Sequence, residues 1–327
     1  MTSDVSRRSL LALGAGLGAG LGATAMMGDT ALARAPKLGT QSQYFYRFNL
    51  GAAEVTVVSD GPLSLGDPKG TFTGVPDDDI RKMLSDNFLP PTNILLEQNS
   101  PVLNMGDKLV LFDTGLGTAT GFGTATGRQQ KSLKEAGIKP EDVDAVVISH
   151  AHPDHVGGIV DDNGKLLFPN AQYYMPQSDL EFWTDEKKMD GPLKDFIAIA
   201  RKNLLPVRDR ILFYKDGQEF LPGIQALATP GHTVGHTMFM ITSAGKSFAY
   251  LADLTHHPIL LLEKPRMEFS YDTDPKQAVD SRVRMLDMLA ANKIAVLPYH
   301  YPWPGLGHVV KSGEGFHYLP EPMQMTL

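Results

Sequence analysis

The stretch His150-Ala151-His152-Pro153-Asp154-His155 decides how this chain is interpreted. It directly follows residues 143–148, an apolar, β-branched run of the kind that forms a buried strand. Four side chains able to bind a divalent cation therefore lie within six residues, and imidazole and carboxylate suit Zn²⁺, Fe²⁺ or Mn²⁺. His150 and His152 project to the same side of an extended backbone and can bind one ion. The two ligands after the proline can then serve a neighbouring ion.

The other candidate ligands also stand where predicted strands end. Strands are predicted over residues 54–59, 93–97, 109–112, 143–148, 224–228, 247–251 and 294–297. Three of these runs lead into His232, Asp253 and His300. A lone histidine at a strand end is more often a hydrogen-bonded structural group, but seven candidates in this order favour a metal site. Ligands at successive strand ends are typical of a rigid scaffold with functional loops.

The pattern predicts two metal ions that share one bridging carboxylate. The ligands divide into His150, His152 and His232 for one ion, Asp154, His155 and His300 for the other, and Asp253 as the bridge. Asp253 is chosen because a carboxylate has two oxygens, whereas a neutral imidazole cannot bridge. We expect zinc, with iron, manganese or cobalt as alternatives. A hydroxide between the ions is the expected nucleophile, and Asp154 and Asp253 are expected to orient it.

Other polar residues near these positions have less specific interpretations. Asp113 either holds a ligand imidazole from behind or stabilises the turn that Thr114-Gly115 continues. Five histidines are interpreted as structural groups, with the least support at His256, His257 and His308: these are His236, His256, His257, His308 and His317.

Helices are predicted between the strands, over residues 127–136, 178–184, 193–203 and 275–291. The last helix follows a capping residue at Thr273 or Asp274. Strands and helices thus alternate in two series, which indicates an α/β fold.

Composition limits the function classes. The chain has 327 residues, a formal net charge of −7, 42% hydrophobic residues and no cysteine. The acidic balance argues against nucleic acid as a partner. Without cysteine there is no disulfide framework, and a metal site must be built from histidine and carboxylate.

Residues 1–33 are predicted to be a twin-arginine-type signal peptide. Arg7 and Arg8 precede an uncharged stretch, residues 9–28, and Ala31-Leu32-Ala33 offers a small-residue cleavage site. The alternative is a transmembrane anchor, for which the length is marginal and the glycine content unfavourable. We expect periplasmic export, a catalytic domain over residues 34–327 and no stable membrane anchor after signal removal.

The ligand pattern resembles the metallo-β-lactamase superfamily over residues 109–308. Asp113-Thr114-Gly115 and Thr229-Pro230-Gly231-His232 add to the resemblance. A closer similarity, to the methyl parathion hydrolase branch, is carried by Phe122-Gly123-Thr124-Ala125-Thr126-Gly127-Arg128, Phe168-Pro169-Asn170-Ala171, Phe182-Trp183, Pro222-Gly223-Ile224 and Pro304-Gly305-Leu306-Gly307-His308. This resemblance implies a four-layer αββα sandwich of two similar halves and a dinuclear zinc-type site. It also implies phosphotriesterase, esterase or lactonase activity.

The resemblance places Phe122, Trp183 and Phe196 at the mouth of the site as substrate-binding residues. The alternative is that they fill the core beneath the insertion. His256-His257 beside Asp253 departs from the phosphotriesterase pattern. We therefore expect a small aryl ester or lactone as substrate, with organophosphate triesters as weaker substrates.

Two other functions remain open at this point. One is a mononuclear iron thiol dioxygenase of the persulfide type on the same fold, which would bind one metal ion per chain instead of two. The other is a metal-binding module without catalysis. β-Lactamases with a cysteine ligand are excluded because the chain has no cysteine. The oligomeric state is left open by the sequence, with a homodimer as one alternative.

Overall fold

Two seven-stranded sheets form the centre of the structure, a computed structural model that describes residues 44–119 and 121–323. The strands are β1 (Phe45–Leu50), β2 (Ala53–Ser59), β3 (Leu63–Gly66), β4 (Phe72–Thr73), β5 (Ile94–Leu96), β6 (Asn99–Asn104), β7 (Leu109–Phe112), β8 (Ala145–Val147), β9 (Gln172–Met175), β10 (Ile211–Phe213), β11 (Glu219–Leu221), β12 (Ile224–Ala228), β13 (Thr237–Ser243), β14 (Lys246–Ala252), β15 (Glu268–Phe269), β16 (Ala295–Pro298), β17 (Gly307–Ser312) and β18 (Gly315–Pro320). The predicted signal peptide lies outside the described residues.

Seven α-helices and three short 3₁₀ helices connect the described strands. The α-helices are α1 (Asp77–Asp86), α2 (Gln129–Glu135), α3 (Pro153–Val156), α4 (Gln177–Thr184), α5 (Lys194–Leu204), α6 (Leu260–Glu263) and α7 (Pro275–Ala291). Short 3₁₀ helices cover Pro140–Asp142, Glu186–Lys188 and Leu205–Arg210. None of the described helices has both the length and the apolar composition needed to cross a lipid bilayer.

Each large sheet combines antiparallel and parallel pairs. The first has the order β1-β2-β6-β7-β8-β9-β10, and the second has the order β11-β12-β13-β14-β16-β17-β18. β7 pairs with β8 in parallel, as β14 does with β16. Parallel neighbours end at the same edge of a sheet. The residues that follow β7 and β8, or β14 and β16, are therefore brought close together.

The main core lies between the two sheets. Phe112 and Val147 from the first sheet and Phe239, Tyr250 and Leu297 from the second belong to one buried cluster. Across the interface between the sheets, the ring centroids of Phe112 and Phe239 are 5.4 Å apart. Alternating residues of the same strands face the outer layers, as the two-residue period of a strand requires.

Helices cover both outer faces. On the first sheet, Leu111 and Val146 share a buried cluster with residues of α2, α4 and α5. On the second sheet, Leu251 and Val296 pack with Leu286 of α7. The order helix, sheet, sheet, helix confirms the predicted αββα sandwich.

Sequence-based boundaries agree closely with the structure where local signals are strong. The predicted bounds of β7, β12 and α7 coincide with the observed ones. Asp274 is the N-terminal cap of α7, because its side chain accepts a hydrogen bond from the backbone N–H of Gln277 at 3.1 Å.

Candidate metal centre

All seven predicted ligands lie in one buried cluster. Their donor atoms form two groups, each with atoms within 4.8 Å of one another: His150, His152 and His232; and Asp154, His155, Asp253 and His300. The six terminal ligands divide as the sequence predicted, and Asp253, the predicted bridge, falls in the second group. A third, overlapping group contains His232, Asp253 and His256. His256 is therefore part of the cluster, although the sequence favoured a structural role for it.

Backbone geometry delivers these side chains. His152 is extended, with φ −69° and ψ 156°, and α3 begins directly after it. The chain therefore turns between His152 and Asp154. Asp113 directly follows β7 and has φ 57°, and Ala252 is the last residue of β14 and has φ 44°. Both angles lie in the left-handed region, which non-glycine residues rarely adopt. The second of these turns sets the direction of Asp253.

Asp253 lies at the centre of the cluster. Its Oδ2 is 3.7 Å from His150 Nε2 and 3.2 Å from the Nε2 atoms of His232 and His300. Its Oδ1 is 3.2 Å from His155 Nε2. One carboxylate thus faces imidazoles of both ligand groups, which is the arrangement required of a bridge.

The donor set fits divalent cations. Asp253 Oδ1 and the Nε2 atoms of His150, His155 and His232 are buried and make no hydrogen bond. Buried polar atoms are normally paired, so several unpaired ones that face one another need a common partner. Nitrogen and carboxylate oxygen donors at this spacing suit a divalent ion such as zinc.

The opposite ring nitrogens are held by the protein. Nδ1 lies 2.9 Å from Asp113 Oδ2 in His155 and 2.8 Å from Asp272 Oδ1 in His232. In His300 it lies 2.8 Å from the carbonyl oxygen of Glu97. An Nδ1–H that donates to such an oxygen leaves the Nε2 lone pair free for a metal.

Asp113 supports a ligand imidazole directly. Besides His155, its carboxylate accepts hydrogen bonds from Ser149 N and Oγ at 2.8 Å and from the Tyr250 hydroxyl at 2.6 Å. These four contacts favour the first of the two interpretations that the sequence left open for Asp113.

Three buried carboxylates were missed by sequence reasoning. Asp272 backs His232, as described above. Asp179 accepts hydrogen bonds from the backbone N–H groups of Ala151 and Gly235, at 2.8 and 2.6 Å, and so joins two ligand loops. Asp60 accepts hydrogen bonds from three backbone N–H groups in residues 116–129. No local motif marks these aspartates, because their partners are distant in sequence.

Burial and charge shift the pKa values in opposite directions. Burial lowers the pKa of His150 and His152 well below the ordinary value, so both are neutral and able to bind metal. Burial also opposes the charged form of His155, but the carboxylates of Asp253, Asp154 and Asp113 outweigh it and raise its pKa. Burial raises the pKa of Asp60 to about 6, although backbone N–H donors act against it.

Other histidines have structural contacts. His236 Nε2 accepts a hydrogen bond from Asp253 N at 3.0 Å, and His257 Nδ1 accepts from Ile259 N and Leu260 N at 3.2 Å. His256 Nε2 instead lies 3.1 Å from Asp253 Oδ2.

A cleft of about 190 Å³ opens onto the cluster. Its wall is mostly apolar and aromatic, formed by Leu63, Leu65, Leu96, Phe122, Phe196, Phe269 and Tyr271. Among the described residues of this wall there is no lysine or arginine. Phe122 and Phe196 thus line the cleft, and their contact with substrate stays a prediction.

Trp183 lies elsewhere. Its side chain is 1% exposed and does not line the cleft. The ring packs edge-on against His152, with centroids 4.8 Å apart, and belongs to the core under the first sheet. The prediction that Trp183 contacts substrate therefore needs correction: α4 turns this residue inward, behind a ligand imidazole.

Comparison with known proteins agrees with this geometry. The family model described as the metallo-beta-lactamase superfamily matches residues 95–300, more than half of the chain. The chain therefore belongs to the metallo-β-lactamase superfamily.

Two solved structures are similar over nearly the whole described part. AidC, a dizinc quorum-quenching lactonase in complex with a product, is 32% identical, with a TM-score of 0.81 over 86% of this chain and 99% of that one. The hydrolase AbOPH of the beta-lactamase superfamily is 27% identical, with a TM-score of 0.80 over 87% of this chain and 100% of that one.

Curated relatives match shorter stretches. An N-acyl homoserine lactonase from Bacillus cereus is 34% identical over 110 residues, or 33% of this chain. The match spans only 37% of the length of that relative.

Proposed function

We propose that this protein is an exported dinuclear metal-dependent hydrolase that opens lactone rings and cleaves aryl esters. Phosphotriesters are expected as weaker substrates. The observation that carries the proposal is a buried set of unpaired histidine and carboxylate donors at the floor of a cleft whose wall is mostly apolar and aromatic. The similarity to a dizinc lactonase supports the lactone as substrate class.

The metal ions are assigned to the ligands in two sets. His150, His152 and His232 would hold one zinc ion and Asp154, His155 and His300 the other, with Asp253 between them. Two bound ions would lower the pKa of a shared water and polarise the scissile carbonyl.

The protein's own groups orient the reaction. Asp253 faces imidazoles of both sets, because its Oδ1 lies 3.2 Å from His155 Nε2 and its Oδ2 lies 3.2 Å from His232 Nε2. Asp154 lines the cleft, and its Oδ2 lies 3.4 Å from His300 Nε2. It is therefore placed to accept a hydrogen bond from the attacking water. As the water adds to the carbonyl carbon, Asp154 can take its proton; as the ring C–O bond breaks, Asp154 can give that proton to the leaving alkoxide.

The cleft wall selects the substrate. Aromatic rings are contributed by Phe122 and Phe196, whose centroids are 6.2 Å apart, and by Tyr271, which stacks on Phe196 at 9°. The described residues of the wall include no lysine or arginine that could bind an anionic substrate, so the wall favours an uncharged acyl chain or aryl group.

The mononuclear dioxygenase is less well supported. It needs one ion, whereas the seven predicted ligands form two separate groups of donors.

Metal analysis combined with a substrate panel tests the proposal. Purified protein should contain two divalent ions per chain. It should hydrolyse N-acyl homoserine lactones and 4-nitrophenyl esters faster than a dialkyl aryl phosphate. One iron ion per chain together with oxygen consumption on a persulfide would support the dioxygenase instead.

Export is tested separately. Replacing both Arg7 and Arg8 with Lys should leave the precursor in the cytoplasm, because the twin-arginine route depends on the pair. Normal delivery of that variant to the periplasm would contradict this part of the proposal.

A further inference from the structure

Helix α7 carries a buried arginine that the proposed reaction does not use. Arg282 is 1% exposed, and burying a charge is costly unless it is paired and hydrogen-bonded. Its Nε donates to the carbonyl oxygen of Leu254 at 3.1 Å, and its Nη1 donates to those of Pro265 and Met267 at 3.0 and 2.7 Å. Its Nη2 lies 3.6 Å from Asp272 Oδ2. Every nitrogen of the guanidinium therefore has a partner.

These partners belong to three segments of the candidate site. Leu254 directly follows the central carboxylate Asp253. Pro265 and Met267 precede Phe269 and Tyr271, which form part of the cleft wall. One side chain of α7 thus joins the metal centre to the surface that would contact substrate.

Asp272 extends the connection to a ligand. Its Oδ1 lies 2.8 Å from His232 Nδ1, and His232 Nε2 faces Asp253 Oδ2 at 3.2 Å. The next residue holds the same histidine by its backbone, because Thr273 N and Oγ1 donate to the His232 carbonyl oxygen at 2.9 and 3.0 Å. Both the ring and the main chain of His232 are therefore fixed from the start of α7.

The two carboxylate-backed histidines are held differently. Asp113, behind His155, receives hydrogen bonds from a backbone N–H and two hydroxyl groups, all of them neutral. Asp272, behind His232, faces a cation, and its Oδ2 is buried without a hydrogen bond. Arg282 is therefore the side chain that holds the Oδ2 side of the Asp272 carboxylate in place.

We propose that Arg282 and Asp272 are positioning residues that set the affinity of the ion assigned to His150, His152 and His232. Arg282 holds the Asp272 carboxylate in place, and Asp272 in turn orients the His232 ring through Nδ1, so that Nε2 faces the ion. The inference rests on the proposed metal centre.

The test measures metal binding and not activity alone. Zinc affinity is determined by competition with a chromophoric chelator, and the geometry of the site is followed by the visible absorption of the cobalt-substituted protein. Asp272→Asn keeps the size and one acceptor oxygen but removes the charge. The variant should bind one of the two zinc ions with roughly 10- to 100-fold lower affinity, and the absorption spectrum of its cobalt form should change.

Arg282→Lys separates the charge from the geometry. Lysine keeps the cation but cannot reach all three carbonyls and the carboxylate at once. We expect the affinity for the same ion to fall less than in Asp272→Asn. Arg284→Lys is the matched control, because Arg284 lies on the exposed face of the same helix and donates only to Ala228 O, at 3.2 Å. It should leave both affinities and the spectrum unchanged.

The outcomes separate the two proposals. A wild-type protein that binds fewer than two ions would overturn the metal centre and this inference together. A wild type with two ions, and an Asp272→Asn variant with unchanged affinities and spectrum, would overturn only this inference, even if its melting temperature fell. An effect of Asp272→Asn without any effect of Arg282→Lys would remove Arg282 from the assignment.

Discussion

Replacing Trp183 tests whether this residue is core or cleft wall. Its ring is 1% exposed and packs edge-on against His152 and Phe182, with centroids 4.8 and 5.2 Å away. Truncating a fully buried tryptophan to alanine costs about 3–5 kcal/mol, since the cavity adds to the lost burial. Native domains are stable by only about 5–15 kcal/mol, so a large fraction of the folding free energy would disappear.

Trp183→Phe is the more useful variant because it keeps an aromatic ring behind His152. We expect the free energy of unfolding, measured by urea denaturation, to fall by about 1–3 kcal/mol. Metal affinity should also fall, since His152 has lost part of its packing. The kcat/KM values for long-chain and short-chain lactones should fall by the same factor.

Phe122→Leu is the comparison, because Phe122 lines the cleft and is only partly buried. It should change the preference between long-chain and short-chain lactones with little loss of stability. The interpretation of Trp183 would be refuted if Trp183→Phe left the unfolding free energy unchanged and selectively impaired long-chain or aryl substrates.

Three further predictions concern the centre and its supports. Asp253→Ala should lose bound metal and nearly all hydrolytic activity, because two cations would then face each other without a bridge. The control His317→Ala, at an exposed residue, should keep its metal and its activity. Metal analysis and activity assays of the two variants test this. The folded state holds the Asp60 proton up to about pH 6, above the ordinary value of 3.8. Stability is therefore lost as pH rises between these values. The unfolding free energy of the wild type relative to that of Asp60→Asn should fall by about 2 kcal/mol from pH 4 to 6.5. Ala252→Gly should change stability by less than about 1 kcal/mol, since relief of the left-handed backbone offsets the lost methyl, whereas Ala249→Gly in the same buried strand should cost about 1–2 kcal/mol by calorimetry.

Sequence reasoning succeeded where a short pattern carries both geometry and chemistry. The stretch from His150 to His155 encodes two neighbouring groups of donors through a strand, a proline and a helical turn. It failed for Asp272 and for Trp183. Asp272 meets His232 across 40 residues of chain, and the inward direction of Trp183 depends on how α4 packs on the first sheet. Neither feature can be predicted from the spacing of neighbouring residues in the sequence.

Both halves of the sandwich place an aspartate at the metal centre by means of a left-handed turn, but the aspartate has a different position relative to the turn. Each half ends a central strand in a left-handed turn, at Asp113 in one half and at Ala252 in the other. In the first half the residue in the turn is itself the carboxylate that holds a ligand. In the second half the turn precedes the carboxylate, and Asp253 enters the cluster directly. A backbone strained in this way persists only where surrounding contacts fix it. Asp113 is fixed by its four hydrogen-bonded partners, whereas Ala252 is fixed by burial between the sheets and by the Tyr299 N–H, which donates to its carbonyl oxygen at 3.2 Å. Because Tyr299 adjoins His300, this contact ties the turn before one ligand to the strand end that carries another.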